Sequence, residues 1–437
     1  MAPGKRPAPR LVIHRGTGES AGRVLCLNPA SASMLVTDQA GHGILTGYLA
    51  GSLPADAFIE RLSRTRIFDE ALTDDAYGSV PQRLIVELTT ACNLRCKTCY
   101  MAAAAPQAGE LATGEVKRLL ADAARAGTET VAFIGGEPLM RPDLAELVEF
   151  ARDRFADVMI STNGTLIDRA FLGRFSGRPG RRVPTIQVSL DGPDQESHDA
   201  IRGRGSFEKV SRLLDLAADA GVRTAVSSVL NSHNYNRLGA ICDLAAGKGC
   251  HMAIFHKVHV SGRAREFPQV LPTAAELAHA MGVLLQKFDQ YERRGRMIVD
   301  FPHNRCFRGD STLDAAFLGC HFGRASAYIT SEGRLACCSH LREGEFAYGD
   351  VRRQGLVDLW QNSASLGRLR RTTVDDLPAC STCRHKYLCR GSCRADALGA
   401  SGSITGDPPD CDALRSYYDY VLEHYARTLE PVTPQEG

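Results

Sequence analysis

The sequence has no long hydrophobic run, no charge imbalance and no apolar stretch within Met1–Arg10. Each absence excludes a class. A membrane-spanning helix needs roughly 18–20 consecutive apolar residues, so no membrane partner is expected. Lys and Arg number 52 against 50 Asp and Glu, a net charge of +2, which gives no electrostatic footprint for nucleic acid. Met1–Arg10 is basic and proline-rich but lacks the apolar core of a secretory signal, so a cytoplasmic location is expected. With 44% hydrophobic and 23% charged residues, the composition is that of a globular chain. Its 437 residues exceed one ordinary domain.

Cysteine, by contrast, is in excess. Fifteen cysteines in a chain without a visible leader fit poorly with disulfides, because the cytosol keeps thiols reduced. Buried thiols used as small hydrophobes would be scattered. These are grouped: Cys92, Cys96 and Cys99, then Cys380, Cys383, Cys389 and Cys393, with Cys306, Cys320, Cys337, Cys338 and Cys411 around them. Grouping of this kind points to metal ligation.

The chain divides by style. Residues 1–80 contain two β-like runs, Leu11–His14 and Arg23–Leu27, and two helical stretches, Ala40–Ala50 and Asp56–Ser63. From Arg83 strand and helix patterns alternate. Short Val- and Ile-rich runs at Leu84–Thr89, Thr130–Ile134, Asp157–Ser161, Thr185–Leu190, Arg223–Leu230 and His251–Val258 read as strands buried on both faces. Amphipathic stretches lie between them, and Gly127, Gly221 and Gly249 stand where helices should end. Six such units predict an α/β fold over residues 81–300, a parallel sheet curled into a partial (β/α)6 barrel, with its chemistry at the C-terminal ends of the strands. Thr273–Arg293 reads as one long helix. Residues 301–415 form a cysteine-rich region, and 416–437 the end of an amphipathic helix and a tail.

The first cysteine group, Cys92-Asn-Leu-Arg-Cys96-Lys-Thr-Cys99, begins just after the first barrel strand. Three thiolates can hold three irons of a [4Fe–4S] cube and leave one iron open, whereas structural zinc normally takes four protein ligands. The motif in this place resembles the radical S-adenosylmethionine (SAM) enzymes. The resemblance implies SAM bound at the open iron and cleaved to a 5′-deoxyadenosyl radical that abstracts hydrogen from a substrate. Gly135-Gly136-Glu137-Pro138 after the second strand resembles the family's SAM-amino-group motif. Asn163 ends the third strand, and Ser189 and Asp191, at the end of the fourth, match its ribose and carboxylate contacts. The stretch His198-Asp199 to Arg202-Gly203, Gly205-Ser206-Phe207 resembles the same family, and Arg202 is the expected partner of the SAM carboxylate. One departure is Thr98, which stands where the family usually places an aromatic residue against adenine.

The C-terminal cysteines resemble the SPASM extension, which implies two auxiliary [4Fe–4S] clusters. The resemblance assigns Cys306, Cys320, Cys338 and Cys393 to the first and Cys380, Cys383, Cys389 and Cys411 to the second. Cys337, beside Cys338, is an alternative ligand. Three [4Fe–4S] clusters and SAM are thus the expected cofactors, fed by an external flavodoxin- or ferredoxin-type electron donor. SPASM enzymes act mostly on peptides, so the expected activity is that of a radical SAM peptide maturase, an oxidoreductase that crosslinks or oxidises a ribosomally made precursor peptide. A small-molecule dehydrogenase or bond-forming enzyme is the alternative. Sulfatase maturation is disfavoured, because that group carries an Asp directly after the cysteine matching Cys338, where this chain has Ser339 and His340. His340 is the candidate for a substrate base. Residues 1–80 weakly resemble the winged-helix leader-recognition element of peptide maturases, which captures an extended peptide at a sheet edge. A structural cap on the barrel is the other reading.

Overall fold

The computed structural model describes residues 11–29, 31, 33–68, 78–175, 182–302, 304, 318, 320 and 323–434. The chain forms two compact units, one of Met1–Ala76, Pro302–Gly319 and Thr372–Gly437, the other of Tyr77–Phe301 and Cys320–Arg371. The cysteine-rich region expected at 301–415 is therefore divided between them.

In the first unit, strands β1 (Val12–Arg15), β2 (Val24–Asn28) and β3 (Ser33–Thr37) form an antiparallel sheet in the order β1-β2-β3. β3 was not expected, since Ser33 and Met34 break the β-branched pattern. Two helices follow, Gln39–Leu49 and Ala57–Leu62. Each starts where an aspartate caps it: Asp38 accepts from the Gly41 N–H at 2.7 Å and Asp56 from the Ile59 N–H at 2.9 Å. Every residue of β2 is buried. Val24 and Cys26 pack with Leu45, Phe58 and Ile59 in the module's core. Burial pushes the Cys26 thiol up to about 12, as expected of a packing cysteine. The long helix Cys411–Thr428 packs against β1 and β2. Its Glu423 accepts hydrogen bonds from the Thr17 N–H at 3.2 Å and from Ser20 Oγ, and contacts His14 Nε2 at 3.0 Å. Past the helix, the Val432 N–H donates to the Val36 carbonyl at 2.7 Å.

In the second unit the expected strands appear as β4 (Arg83–Glu87), β5 (Thr130–Ile134), β6 (Asp157–Thr162), β7 (Thr185–Ser189), β8 (Thr224–Leu230) and β9 (Met252–Lys257). They pair in parallel in sequence order. The sheet extends at both edges. β10 (Ile298–Asp300) joins β9 in parallel. On the other side β11 (Ser326–Ile329) runs parallel to β4, followed by antiparallel β12 (Arg334–Ala336) and β13 (Ala347–Asp350). The first SPASM cysteines thus hang from an extension of the barrel sheet. Helix Thr113–Ala126 shows why the alternation was readable: Val116, Leu119, Leu120 and Ala123 are buried on one stripe, and Gly127 ends it at φ 107°. Phe133, Val148, Phe155 and Ile160 join that stripe in the core, which Trp360 closes. The expected single helix over Thr273–Arg293 is an α-helix, Ala274–Lys287, running into a π turn, Phe288–Glu292. No helix among the described residues is long and apolar enough to cross a membrane.

Candidate functional site

The loop after β4 carries Cys92, Cys96 and Cys99, and groups from distant segments hold it. Glu110 accepts from the Thr90 N–H at 2.8 Å and from Thr89 Oγ1 at 3.0 Å. Arg263, buried, donates from its backbone N–H to the Cys99 carbonyl at 2.9 Å, from Nε to the Cys96 carbonyl at 3.0 Å and from Nη2 to the Ala103 carbonyl at 3.1 Å. Gly262 sits so close that a Cβ there would fall 2.2 Å from the Tyr100 carbonyl oxygen. No described cysteine is in a disulfide.

The sulfurs meet hydrogen-bond donors. The Leu94 N–H lies 3.4 Å from Cys92 Sγ, the Ala103 N–H 3.4 Å from Cys99 Sγ, and Asn163 Nδ2 3.9 Å from Cys92 Sγ. Burial pushes the Cys96 thiol up to about 11, Arg202 opposing it, and raises that of Cys92. Thiolates in such a loop are favourable once a cation binds them. The donor set, three sulfurs on one loop with N–H groups directed at two of them, fits an iron–sulfur cluster.

Gly135 and Gly136 do a specific local job. A Cβ at Gly135 would lie 2.5 Å from the Thr89 carbonyl oxygen, and one at Gly136 2.3 Å from that of Ala91. The close approach is to the cysteine loop itself, which the Gly136 N–H and Glu137 N–H bond at 2.8 and 2.7 Å. Pro138 opens a short 3-10 turn behind them. Glu137 is buried and accepts from Thr162 Oγ1 at 2.7 Å and the Asn163 N–H at 2.7 Å, which ties the second strand end to the third. Burial raises its pKa against those bonds. Asn163 donates from Nδ2 to Asn93 Oδ1 at 2.8 Å.

Asp191, fully buried, accepts from Arg202 Nε at 2.7 Å and from the Val229 N–H at 2.7 Å. Both of its oxygens therefore have protein donors. Burial opposes the Arg202 charge, but Asp191 and then Cys96 outweigh it and hold the guanidinium firmly protonated. Arg202 thus joins the fourth strand end to the cysteine loop. Ser189 is half-buried at the end of β7. His198, which sequence reasoning left without a role, accepts the Asp191 N–H on Nδ1 at 3.1 Å, and burial lowers its pKa to about 4. Thr98 is buried. Tyr100 reaches the Tyr328 phenol instead of standing in for the missing aromatic residue.

His340 lies on the same side of the loop. Its Nδ1 is 3.0 Å from Ser261 Oγ, and its ring centroid is 4.2 Å from that of His259 and 5.2 Å from that of Tyr100. Beneath Tyr100, buried Glu87 receives Arg342 at 2.8 and 3.0 Å and the Tyr328 hydroxyl. His259, Arg263 and Arg342 carry no local motif, so nothing in the sequence marked them.

The later cysteines form two settings. In the barrel unit, Cys337 and Cys338 are buried after β12, Cys320 is exposed, and the Leu341 N–H lies 3.3 Å from Cys338 Sγ. Tyr348 stands beside Cys337, Cys338 and Cys320, with its hydroxyl oxygen buried and directed at Cys337. Cys306 lies outside the described residues. In the other unit, Cys380, Cys383, Cys389 and Cys411 line one cavity, with His385 and Arg415. Arg390, Gly391 and Ser392 are left-handed in succession, a tight reversal that separates Cys389 from Cys393. Cys393 stands at the N-cap position of the next helix and is not among the residues that line the cavity. Burial pushes Cys389 up to about 12 and Cys411 to about 11. Four sulfurs around one space fit a fully ligated cluster.

A parallel α/β sheet with a three-cysteine loop at its first strand end, followed by cysteine-rich extensions, defines an iron–sulfur enzyme of the radical SAM type. The comparisons agree. Residues 86–245 match the Radical SAM superfamily and residues 320–384 the SPASM iron–sulfur cluster-binding domain. The chain is 31% identical over 344 residues to mycofactocin maturase MftC of Mycobacterium ulcerans, covering 76% of this chain and 88% of that protein. It is 30% identical over 356 residues to the AdoMet-dependent heme synthase of Nitratidesulfovibrio vulgaris, covering 76% and 93%. Among solved structures, Streptococcus suis SuiB bound to SAM aligns with a TM-score of 0.63 at 16% identity, over 92% of this chain and 99% of that one. The anSMEcpe enzyme with bound AdoMet aligns at 0.64 and 18% over 80% and 99%. The protein belongs to the radical SAM enzymes with a SPASM domain, and its cofactors are SAM and iron–sulfur clusters.

Proposed function

We propose that the enzyme is a peptide maturase that oxidises or crosslinks a precursor peptide. The observation that carries this reading is the module ahead of the barrel, a three-stranded antiparallel sheet with two capped helices and outer strands β1 and β3, the latter already bonded by Val432 at Val36. A sheet edge can take up an extended peptide through backbone bonds alone. Two comparisons support the reading: the mycofactocin maturase relative, and a fold likeness over 90% of this chain to SuiB bound to its precursor peptide SuiA. The heme synthase relatives favour a second reading, a small tetrapyrrole-like substrate.

When bound at the first cluster and given an electron by an external flavodoxin- or ferredoxin-type donor, SAM would supply the radical that abstracts hydrogen. The chain's own residues prepare the place. Cys92, Cys96 and Cys99 would hold the cluster. Glu137, Asn163, Ser189 and Asp191 shape the strand ends around it, and Arg202 offers its remaining N–H groups to a carboxylate. His340, held by Ser261, would accept the proton that an oxidised substrate loses. Cys320 and Cys338 would serve the first auxiliary site and Cys380, Cys383, Cys389 and Cys411 the second, as an electron outlet.

The test is binding. The full-length protein is titrated with short peptides encoded beside its gene and, separately, with porphyrin precursors. Saturable micromolar peptide binding that a proline at Ile13 or Met34 abolishes supports the proposal. Porphyrin binding without peptide binding supports the second reading.

A further inference from the structure

The cavity ringed by Cys380, Cys383, Cys389 and Cys411 has one more chemically active wall, His385. The residue is only 2% exposed and stands immediately before the short helix Lys386–Cys389. One edge of its ring is anchored. Asp419 Oδ1 lies 2.9 Å from Nε2, and Arg384 donates to the same nitrogen from Nε at 3.1 Å and to Asp419 from Nη2. Asp419 belongs to the helix Cys411–Thr428, which begins with the fourth cysteine. One rigid element therefore carries both a sulfur of the cavity and the anchor of the ring. Tyr418, the neighbouring residue, packs on the imidazole at 5.7 Å between centroids.

The other edge carries Nδ1, buried and without a hydrogen-bond partner among the described residues. Buried polar groups are nearly always paired, so an unpaired one calls for a partner that binding supplies. The Arg384 bond to Nε2 needs a lone pair there, which puts the hydrogen of a neutral ring on Nδ1. A doubly protonated ring bonded to Asp419 carries a hydrogen on Nδ1 as well. In the tautomer that accepts from Arg384, Nδ1 is a donor at the wall of a space walled by sulfur, whereas a neutral ring donating Nε2–H to Asp419 would present a lone pair there.

We propose that His385 donates an Nδ1–H hydrogen bond to a sulfur of the cluster these four cysteines hold, and so sets that cluster's reduction potential without taking part in its assembly. The proposal rests on the four-cysteine reading of the cavity. Reduction adds negative charge to a cluster, and a hydrogen bond to its sulfur stabilises the reduced form more than the oxidised one. His385 therefore holds this cluster at a higher potential, able to take an electron from an oxidised substrate. It acts through the cluster and is a positioning residue.

The test uses protein in which Cys92, Cys96 and Cys99 are all alanine, so that only the later sites fill on anaerobic reconstitution. Redox titration followed by electron paramagnetic resonance reads the couples, and iron and sulfide analysis reads assembly. H385L is expected to keep its iron and sulfide while one couple moves negative and the other stays. H385Q, whose amide restores an N–H, moves that couple back toward the parent value. D419N, which loosens the ring but leaves it in place, gives a smaller negative shift and covers the case in which H385L does not fold. Couples unmoved in H385L and D419N would overturn the proposal. So would a strong nitrogen hyperfine coupling in the parent that H385L loses, since that puts the ring on iron. The underlying reading is tested apart: C383A with C389A should lose one cluster's iron, and unchanged iron would remove the four-cysteine site whatever His385 does.

Discussion

The first cysteine loop and the later four-cysteine cavity use the same ligand atom in opposite ways. The loop after β4 offers three sulfurs, and its supports come from far along the chain: Glu110, Asn163 and Arg263 hold it, and the buried Arg202–Asp191 pair stands beside it. The cavity offers four sulfurs, two on short local helices, Cys383 between those helices and Cys411 at the start of one long helix. The loop is built to leave a metal position open among charged groups. The cavity is built to close one off. Under the proposed function, that difference gives SAM chemistry to the first and electron transfer to the second.

The comparison can be broken most sharply with cysteine itself. Cys96→Ala should abolish 5′-deoxyadenosine formation, measured by chromatography of anaerobic reactions. Cys383→Ala should leave SAM cleavage measurable while it lowers iron content and stops the oxidative step on the substrate. Equal loss of SAM cleavage in both variants would erase the distinction. The next effect is at Arg263. Arg263→Ala leaves the Cys96 and Ala103 carbonyls without their donor, at about 1–3 kcal/mol for a buried charged hydrogen-bonding group. Iron in the first site should fall several-fold, with the auxiliary content unchanged. Gly136→Ala follows, because its Cβ would meet the Ala91 carbonyl at 2.3 Å. An overpacked backbone of this kind costs about 1–3 kcal/mol, read as a lower melting temperature and weaker SAM binding.

Much of this contrast was legible in the sequence and part was not. The six barrel strands could be read because each is a short Val- and Ile-rich run, and Leu119, Leu120 and Ala123 mark a helix face. The cysteine groups could be read because ligand spacing is local. Helix Gln195–Arg202 was missed because its residues are mostly polar; Asp194 caps it, accepting from the Ser197 N–H at 2.9 Å. β10 and β13 are too short and irregular to carry a period. Arg263 and His259 lie more than 150 positions from the cysteine loop in sequence, and Glu87 read as the end of a strand, yet Glu87 receives Arg342 from far downstream. Long-range polar contacts have no periodicity, so only the fold brings them together.

The smallest effect sharpens the other side of the comparison. The helix that starts at Cys411 is anchored at its far end by Glu423. Burial raises that carboxyl, but hydrogen bonds from Ser20, His14 and Thr17 outweigh it and lower its pKa from 4.5 to about 2. A depressed carboxylate contributes stability above its unfolded pKa and loses it as pH falls through the folded one. Glu423→Gln should therefore cost about 1 kcal/mol near neutral pH. The difference from the parent should shrink as pH falls from 4.5 toward 2, measured by urea denaturation of the protein without clusters. A difference that grew on acidification would give the anchor the wrong sign.

The central claim is that the enzyme's radical is spent on a peptide. The measurement is the mass of a precursor peptide, encoded beside the gene, after anaerobic incubation with reconstituted enzyme, SAM and a strong reductant. The account predicts a product lighter by two hydrogen atoms, formed together with 5′-deoxyadenosine and absent with Cys96→Ala. SAM cleavage that leaves every such peptide at its original mass would contradict it.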